Sequence, residues 1–163
     1  MNWQRVRAGV LGIIVASTVS ATAQAPLTGP PAPKDRAMDF PLASLEAAAR
    51  EIAAKGLITQ RVLDGGTYSI NVRHIAGAET ALVHGKITEV WVVREGSGTV
   101  ATGGSLIEPK AGAVAGEFSG RAIRGGAERV IKTGDLVFIP PGVPHGIKES
   151  KGITYLNIRF ETK

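Results

Sequence analysis

Cysteine is absent from the chain. Thiolate metal sites, thiol nucleophiles and disulfide switches are therefore excluded. The absence does not fix a compartment, because an exported protein can also do without disulfides. Histidine is scarce: His74, His84 and His145 are the only three, so each can be weighed individually. No cluster of basic residues is interleaved with aromatics, which argues against nucleic acid as a partner. No internal repeat stands out. At 163 residues the chain suits a single domain whose core needs no disulfide or structural zinc.

What is present begins with a marked amino terminus. MNWQRVR carries Arg5 and Arg7 and no acid, AGVLGIIVASTVSA is uncharged and largely apolar, and ATAQAP places small residues at alternate positions. This is the three-part pattern of a secretory signal peptide. The small-x-small rule allows cleavage after Ala23 or Ala25. The second would leave Pro26 at the new terminus, so residues 1–23 are read as the signal. The apolar run is short for a membrane span, so no stable span is expected after cleavage, and the missing cysteine leaves nothing for a lipoprotein-type anchor. The expected location is the periplasm or outside a bacterial cell. Removing Arg5 and Arg7 from the 19 basic residues leaves 17 against 14 acidic ones, a net charge of +3 spread over the surface.

Residues 24–43 hold Pro26, Pro30, Pro31, Pro33 and Pro41 and read as a proline-rich linker. Residues 44–56, SLEAAAREIAAKG, read as a helix, with Ser44 placed to cap its start, Gly56 to end it, and Leu45, Ala48, Ala49 and Ile52 on one face. From residue 57 the expectation is an all-β domain. TYSINVRHI, ALVH, EVWVV, GTVAT, RVIK, LVFIP and ITYLNIRF are short runs rich in β-branched and aromatic residues, punctuated by glycine and proline. Such spacing predicts a sandwich or barrel. Residues 105–120 read as the longest irregular stretch, a loop over one barrel end.

Two stretches carry chemistry. In GDLVFIPPGVPH, residues 134–145, Pro140 ends a strand, Pro141-Gly142 makes a rigid turn, and His145 follows at a reproducible position. In HGKITEVWVVREGSG, residues 84–98, His84 and Glu89 are five apart. An odd separation on one strand would face them oppositely, so a common site requires the chain to turn at Gly85-Lys86. Glu89, Trp91 and Val93 then share one face. If that face is interior, the buried carboxylate needs a cation or strong hydrogen bonds.

These residues resemble the cupin superfamily. Gly134, Pro140, Gly142 and His145 match its second motif, G-x5-P-x-G-x2-H. His84, Glu89 and Gly96 match the last histidine, the glutamate and the closing glycine of its first motif, G-x5-H-x-H-x3-4-E-x6-G. The resemblance covers roughly residues 65–160 and implies a small single-domain cupin, a β-barrel of jelly-roll type (residues 57–163) preceded by the short α-helix. It departs from the pattern at Leu82, where the first histidine would fall, at Ala76, where the first glycine would fall, and at Glu149, where an asparagine can close the second motif. The resemblance implies one divalent metal ion (Fe, Mn, Zn, Ni or Co) on His84, Glu89 and His145, a two-histidine, one-carboxylate set with open coordination positions. It also implies a small-molecule ligand or substrate, pairing as a homodimer, and, for an enzyme, oxygenase, isomerase or lyase chemistry. The alternative is a non-catalytic ligand-binding or sensing cupin with a degenerate metal site.

The remaining candidates are less pointed. His74 alternates with Ile70 and Val72 and reads as a packed or partly exposed strand histidine. Trp91 reads as a core residue or pocket wall. In ITYLNIRF, Tyr155, Asn157 and Arg159 share one face and Leu156, Ile158 and Phe160 the other, and the apolar set is expected to face the core.

Overall fold

The computed structural model describes residues 29–162; the expected signal peptide lies outside them. One helix, α1 (Leu42–Ala54), precedes eleven strands: β1 (Thr59–Asp64), β2 (Tyr68–Ile75), β3 (Ala81–His84), β4 (Ile87–Thr102), β5 (Ser105–Ile107), β6 (Lys110–Ala111), β7 (Glu117–Gly120), β8 (Ala122–Arg124), β9 (Ala127–Lys132), β10 (Leu136–Ile139) and β11 (His145–Glu161). Every pairing between named strands is antiparallel. The all-β expectation is met.

The long strands β4 and β11 organise the barrel. They pair from Ile87↔Glu161 to Thr102↔His145 with three register shifts. The first half of β4 and the second half of β11 lie in one layer, between β10 on one side and β2 and β1 on the other. The other halves lie in a second layer with β9 on one side and β3, β7 and β6 on the other. Both strands bend where the layers part. Gly96 sits at that bend with φ +73°, and a Cβ there would stand 1.9 Å from the Gly152 carbonyl oxygen, so this position requires glycine. Between the layers, Ile75, Trp91, Val93, Val100, Ile131, Val137, Ile139, Ile147, Ile153 and Tyr155 form the barrel core.

The helix starts and ends two residues before the expected 44–56. Pro41, at φ −55° and ψ 141°, has the extended backbone of an N-cap, and Ser44 lies inside the first turn, its hydroxyl donating back to the Pro41 carbonyl at 2.7 Å. Ala48, Ala49 and Ile52 pack on Val72 of β2, with Leu45, Leu57, Val62 and Leu156 around them. Burying Ile52 stabilises this attachment by about 1.5–3 kcal/mol. The proline-rich segment is tied down as well: Pro31 bridges Asp64, and Ala32 N–H donates to the Asp64 carbonyl at 2.8 Å.

Two expectations are corrected. Residues 105–120 are not irregular: they contain β5 and the paired β6 and β7, with β5 pairing β8 in a separate ribbon. On β11 it is the polar set that faces inward. Tyr155 and Asn157 are buried within the barrel, whereas Leu156 lies on the outer face, beneath α1. The reason is that both faces of this sheet are covered, so apolar alternation marks the helix-covered face as readily as the barrel interior.

Candidate metal centre

Three segments converge at one end of the barrel. Gly85-Lys86 turns the chain between β3 and β4, so His84 and Glu89 point the same way. The Pro140–Pro144 turn, with Gly142 at φ +78°, is docked on β3 through the Gly142 N–H, which donates to the His84 carbonyl at 2.8 Å. His145 opens β11 directly after it. As a result one ligand-type atom from each of His84, Glu89 and His145 lies within 4.8 Å of the others, and all three residues are buried. His84 Nε2 is 3.3 Å from Glu89 Oε1, and His145 Nε2 is 3.5 Å from Glu89 Oε2.

The outer nitrogens of the two imidazoles are already committed. His145 Nδ1 lies 2.8 Å from the Val143 carbonyl oxygen, which can only accept, so Nδ1 carries the proton. His84 Nδ1 is hydrogen-bonded to the Glu117 carboxylate, another acceptor. In the neutral rings both Nε2 atoms are therefore bare lone pairs aimed at a carboxylate. His145 Nε2 is buried and has no hydrogen-bond partner. Lone pairs facing a buried carboxylate repel unless a proton or cation lies between them. Bonds of about 2.0–2.2 Å to a common ion separate adjacent donors by about 3.0 Å at a right angle and about 3.4 Å at a tetrahedral angle; the two histidine–glutamate spacings are of that size, and they run to different oxygens of Glu89. Imidazoles whose second nitrogen donates to a carboxylate or carbonyl are the usual way a metal-binding histidine is oriented. The donor set thus fits a divalent ion.

Glu89 is 1% exposed. Trp91 Nε1 and Asn157 Nδ2 donate to its Oε2 at 2.7 and 3.1 Å. Arg159 Nε stands 3.0 Å from Oε1 as an ion pair, but it is not aligned as a hydrogen bond. The strand register arranges this, with Arg159 directly opposite Glu89 and Asn157 opposite Trp91. Burial opposes ionisation of Glu89, but His145 and His84 in their protonated forms, together with Arg159, outweigh it and hold the carboxyl well below the usual range. Burial, reinforced by the Arg159 charge, lowers the His84 pKa despite Glu89 and Glu117. The Arg159 charge pushes both groups toward the ligand forms, an ionised carboxylate and a neutral imidazole. Trp91 is more than a wall: fully buried, it stacks on Tyr155 with centroids 4.6 Å apart and meets His145 edge-on at 5.7 Å.

The other candidates lie elsewhere. His74 is on the outer face, where its Nδ1 pairs with the Thr154 hydroxyl at 3.0 Å. Glu149 accepts from Thr99 in an exposed position. Leu82 pairs with His145 across the sheet. Sequence reasoning missed Glu117, which is placed by the β3–β7 register directly opposite His84. It also missed a second buried acid, Glu79, which pairs with Arg73 at 2.6 Å.

Comparison with known proteins fits this architecture. Residues 119–163 match the AraC-like ligand binding domain family. No curated protein matches the chain. Among solved structures, the chain is similar to the BH2720 protein of Bacillus halodurans, with 13% identity, a TM-score of 0.53, and 77% of this chain and 83% of that one covered. It is also similar to a Klebsiella pneumoniae protein with a double-stranded β-helix domain, at 15% identity, TM-score 0.46 and coverage of 65% and 77%. A third likeness is to Fe(II) HppE, at 15% identity and TM-score 0.47, with 63% of this chain and 50% of that one covered. The fold is the cupin-type β-barrel that the sequence motifs implied.

Proposed function

We propose that this is an exported protein whose barrel holds one divalent metal ion on His84, Glu89 and His145 and takes a small polar molecule at the coordination positions left open. The observation that carries the reading is the convergence of two imidazole Nε2 atoms on one buried carboxylate, that of His145 buried without a hydrogen-bond partner. Two histidines and a glutamate suit Fe(II) and also accommodate Mn, Co, Ni or Zn. When bound, such an ion polarises an oxygen of the ligand or activates one for attack. The chain's own residues do the positioning. Glu117 and the Val143 carbonyl fix the two imidazole tautomers. Trp91 and Asn157 hold Glu89 by Oε2, leaving Oε1 to face His84 and Arg159.

The test is elemental analysis of protein purified without a histidine tag. The expected result is one equivalent of metal, lost in His84→Ala and in His145→Ala. Metal retained after both substitutions overturns the ligand assignment. Export is tested by sequencing the amino terminus of the protein from its host: a start at Gln24 supports it, and a start at Met1 in the cytoplasmic fraction refutes it.

A second reading, a ligand-binding or sensing barrel without catalysis, draws on the match of residues 119–163 to the AraC-like ligand binding domain and on Leu82 in place of a fourth ligand. Oxygen uptake or product formation on a panel of hydroxy acids, sugars and phenols supports the enzyme. Saturable binding without turnover supports the binder.

A further inference from the structure

A cavity of about 340 Å³ opens beside the cluster, lined in part by Tyr68, Lys86, Val114, Glu117, Arg159 and Glu161. That is the size of a small-ligand pocket. Arg159 spans its inner wall. One edge of the guanidinium faces Glu89, and the side chain remains 26% exposed toward the cavity. Its one ion pair among the described residues is made by Nε, which is buried without an aligned acceptor, and not by its terminal nitrogens. Lys86 lies at the same opening, exposed and without an ion pair among the described residues. Its backbone is pinned by Thr162, whose N–H donates to the Lys86 carbonyl at 2.7 Å.

The neighbouring charges are otherwise engaged. Arg61, also on the cavity wall, is paired with Asp64 at 2.7 Å. Glu117 is bonded to His84. That leaves Lys86 and Arg159 against Glu89 and the rim acid Glu161. A divalent ion on the cluster would share Glu89 with Arg159. The two cations and the ion would then outweigh Glu89, Glu117 and Glu161 by one charge. A partly exposed guanidinium fork whose terminal nitrogens are open to a cavity is a ready receptor for a planar or tetrahedral oxyanion.

We propose that Arg159, with Lys86 outside it, is the oxyanion-binding end of the cavity, so that the small molecule taken by this barrel carries a carboxylate or phosphoryl group. The assignment rests on the proposed metal reading for the charge balance, but the anion contact is made by the protein alone.

The experiment is calorimetric titration of the purified protein, with and without Ni²⁺, using malonate and inorganic phosphate as probes and glycerol as the neutral control. Saturable binding of either anion is expected, tightened by the metal. Arg159→Gln should weaken it about tenfold or more, the equivalent of a lost charge-assisted contact. Arg159→Lys should recover part of the loss. Lys86→Gln, at an exposed position, should weaken binding about threefold and keeps the test informative if the Arg159 variants do not fold. Preference for malonate assigns a carboxylate, and preference for phosphate a phosphoryl group. Unchanged affinity in both Arg159→Gln and Lys86→Gln, equal binding of glycerol, or no anion binding overturns the proposal. Anion binding at Arg159 in protein that takes up no metal leaves this inference standing and removes the metal reading. Stoichiometric metal without anion binding does the reverse.

Discussion

Replacing Trp91 by phenylalanine tests whether Glu89 is held by the groups around it. The substitution keeps an aromatic ring stacked on Tyr155 and edge-on to His145 but removes the N–H that donates to Glu89 Oε2 at 2.7 Å. Losing a hydrogen bond to a charged acceptor costs about 1.5–3 kcal/mol. Trimming indole to phenyl in a fully buried site adds about 1 kcal/mol. Asn157 and Arg159 remain on the carboxylate, so the acid is weakened and not abandoned. The expected loss is about 2.5–4 kcal/mol, read by urea unfolding followed by far-ultraviolet circular dichroism with an unchanged slope. A double-mutant cycle with Glu89→Gln separates the hydrogen bond from packing: a coupling of about 1 kcal/mol or more is expected, because the two side chains touch. Metal affinity should also fall about tenfold to a hundredfold, the usual effect of removing a group that orients a ligand. Stability within about 0.5 kcal/mol of the parent together with unchanged metal affinity would refute the account of how Glu89 is held.

Three further outcomes are expected. Gly96→Ala should lower stability by about 3 kcal/mol or more in thermal unfolding, because its left-handed backbone and the nearby Gly152 carbonyl both exclude a Cβ; a loss below about 1 kcal/mol would show that the bend can relax. Glu117→Ala should weaken metal binding about tenfold to a hundredfold in chelator competition, with most of it restored in Glu117→Gln, whose amide oxygen still accepts from His84 Nδ1; equal affinity in all three proteins would contradict the His84 orientation. Burial raises the Tyr155 pKa well above the ordinary 10.0, with Glu79 and Glu89 adding to it against Arg73. The folded chain therefore keeps a proton that the unfolded chain loses, and stability should hold up to about pH 10 and then fall by about 1.4 kcal/mol per pH unit. A phenolate signal that titrates near pH 10 in the folded protein and disappears in Tyr155→Phe would show that the residue is not so enclosed.

The parts of the site that could be read in the sequence are those set by local geometry. Proline and glycine at 140–142 imply a rigid turn, and the turn is what seats His145 against β3. The odd spacing of His84 and Glu89 requires a reversal at Gly85-Lys86, and the chain reverses there. The unread parts depend on pairing between distant segments. Glu117 reaches His84 only because β7 pairs with β3 in one particular register, across a stretch with no periodic signal of its own. Arg159 reaches Glu89 by the same kind of cross-strand pairing. The inward face of ITYLNIRF was misread because α1 covers its outer side, so burial there does not mean facing the barrel core.

The barrel also contains its own control for the meaning of Glu89. Glu79 and Arg73 form a second buried acid–arginine pair in the same interior. Glu79 is saturated: one oxygen takes Arg73 at 2.6 Å, and the other accepts the Ile147 N–H at 2.9 Å and faces the Tyr155 hydroxyl at 3.5 Å. No imidazole approaches it among the described residues. This fold therefore has the means to satisfy a buried carboxylate fully with fixed donors. At Glu89 the arrangement differs. Two fixed donors hold Oε2, while Oε1 meets a misaligned guanidinium and two imidazole nitrogens bring lone pairs where donors would be expected. A purely structural acid gains nothing from that arrangement, because each uncommitted buried lone pair costs stability. It becomes favourable when a proton on an imidazole or a metal cation supplies the positive charge between the three side chains. The shortage of donors lies at the end of the barrel where Glu117, bonded to His84, and Arg159, paired with Glu89, line an open cavity.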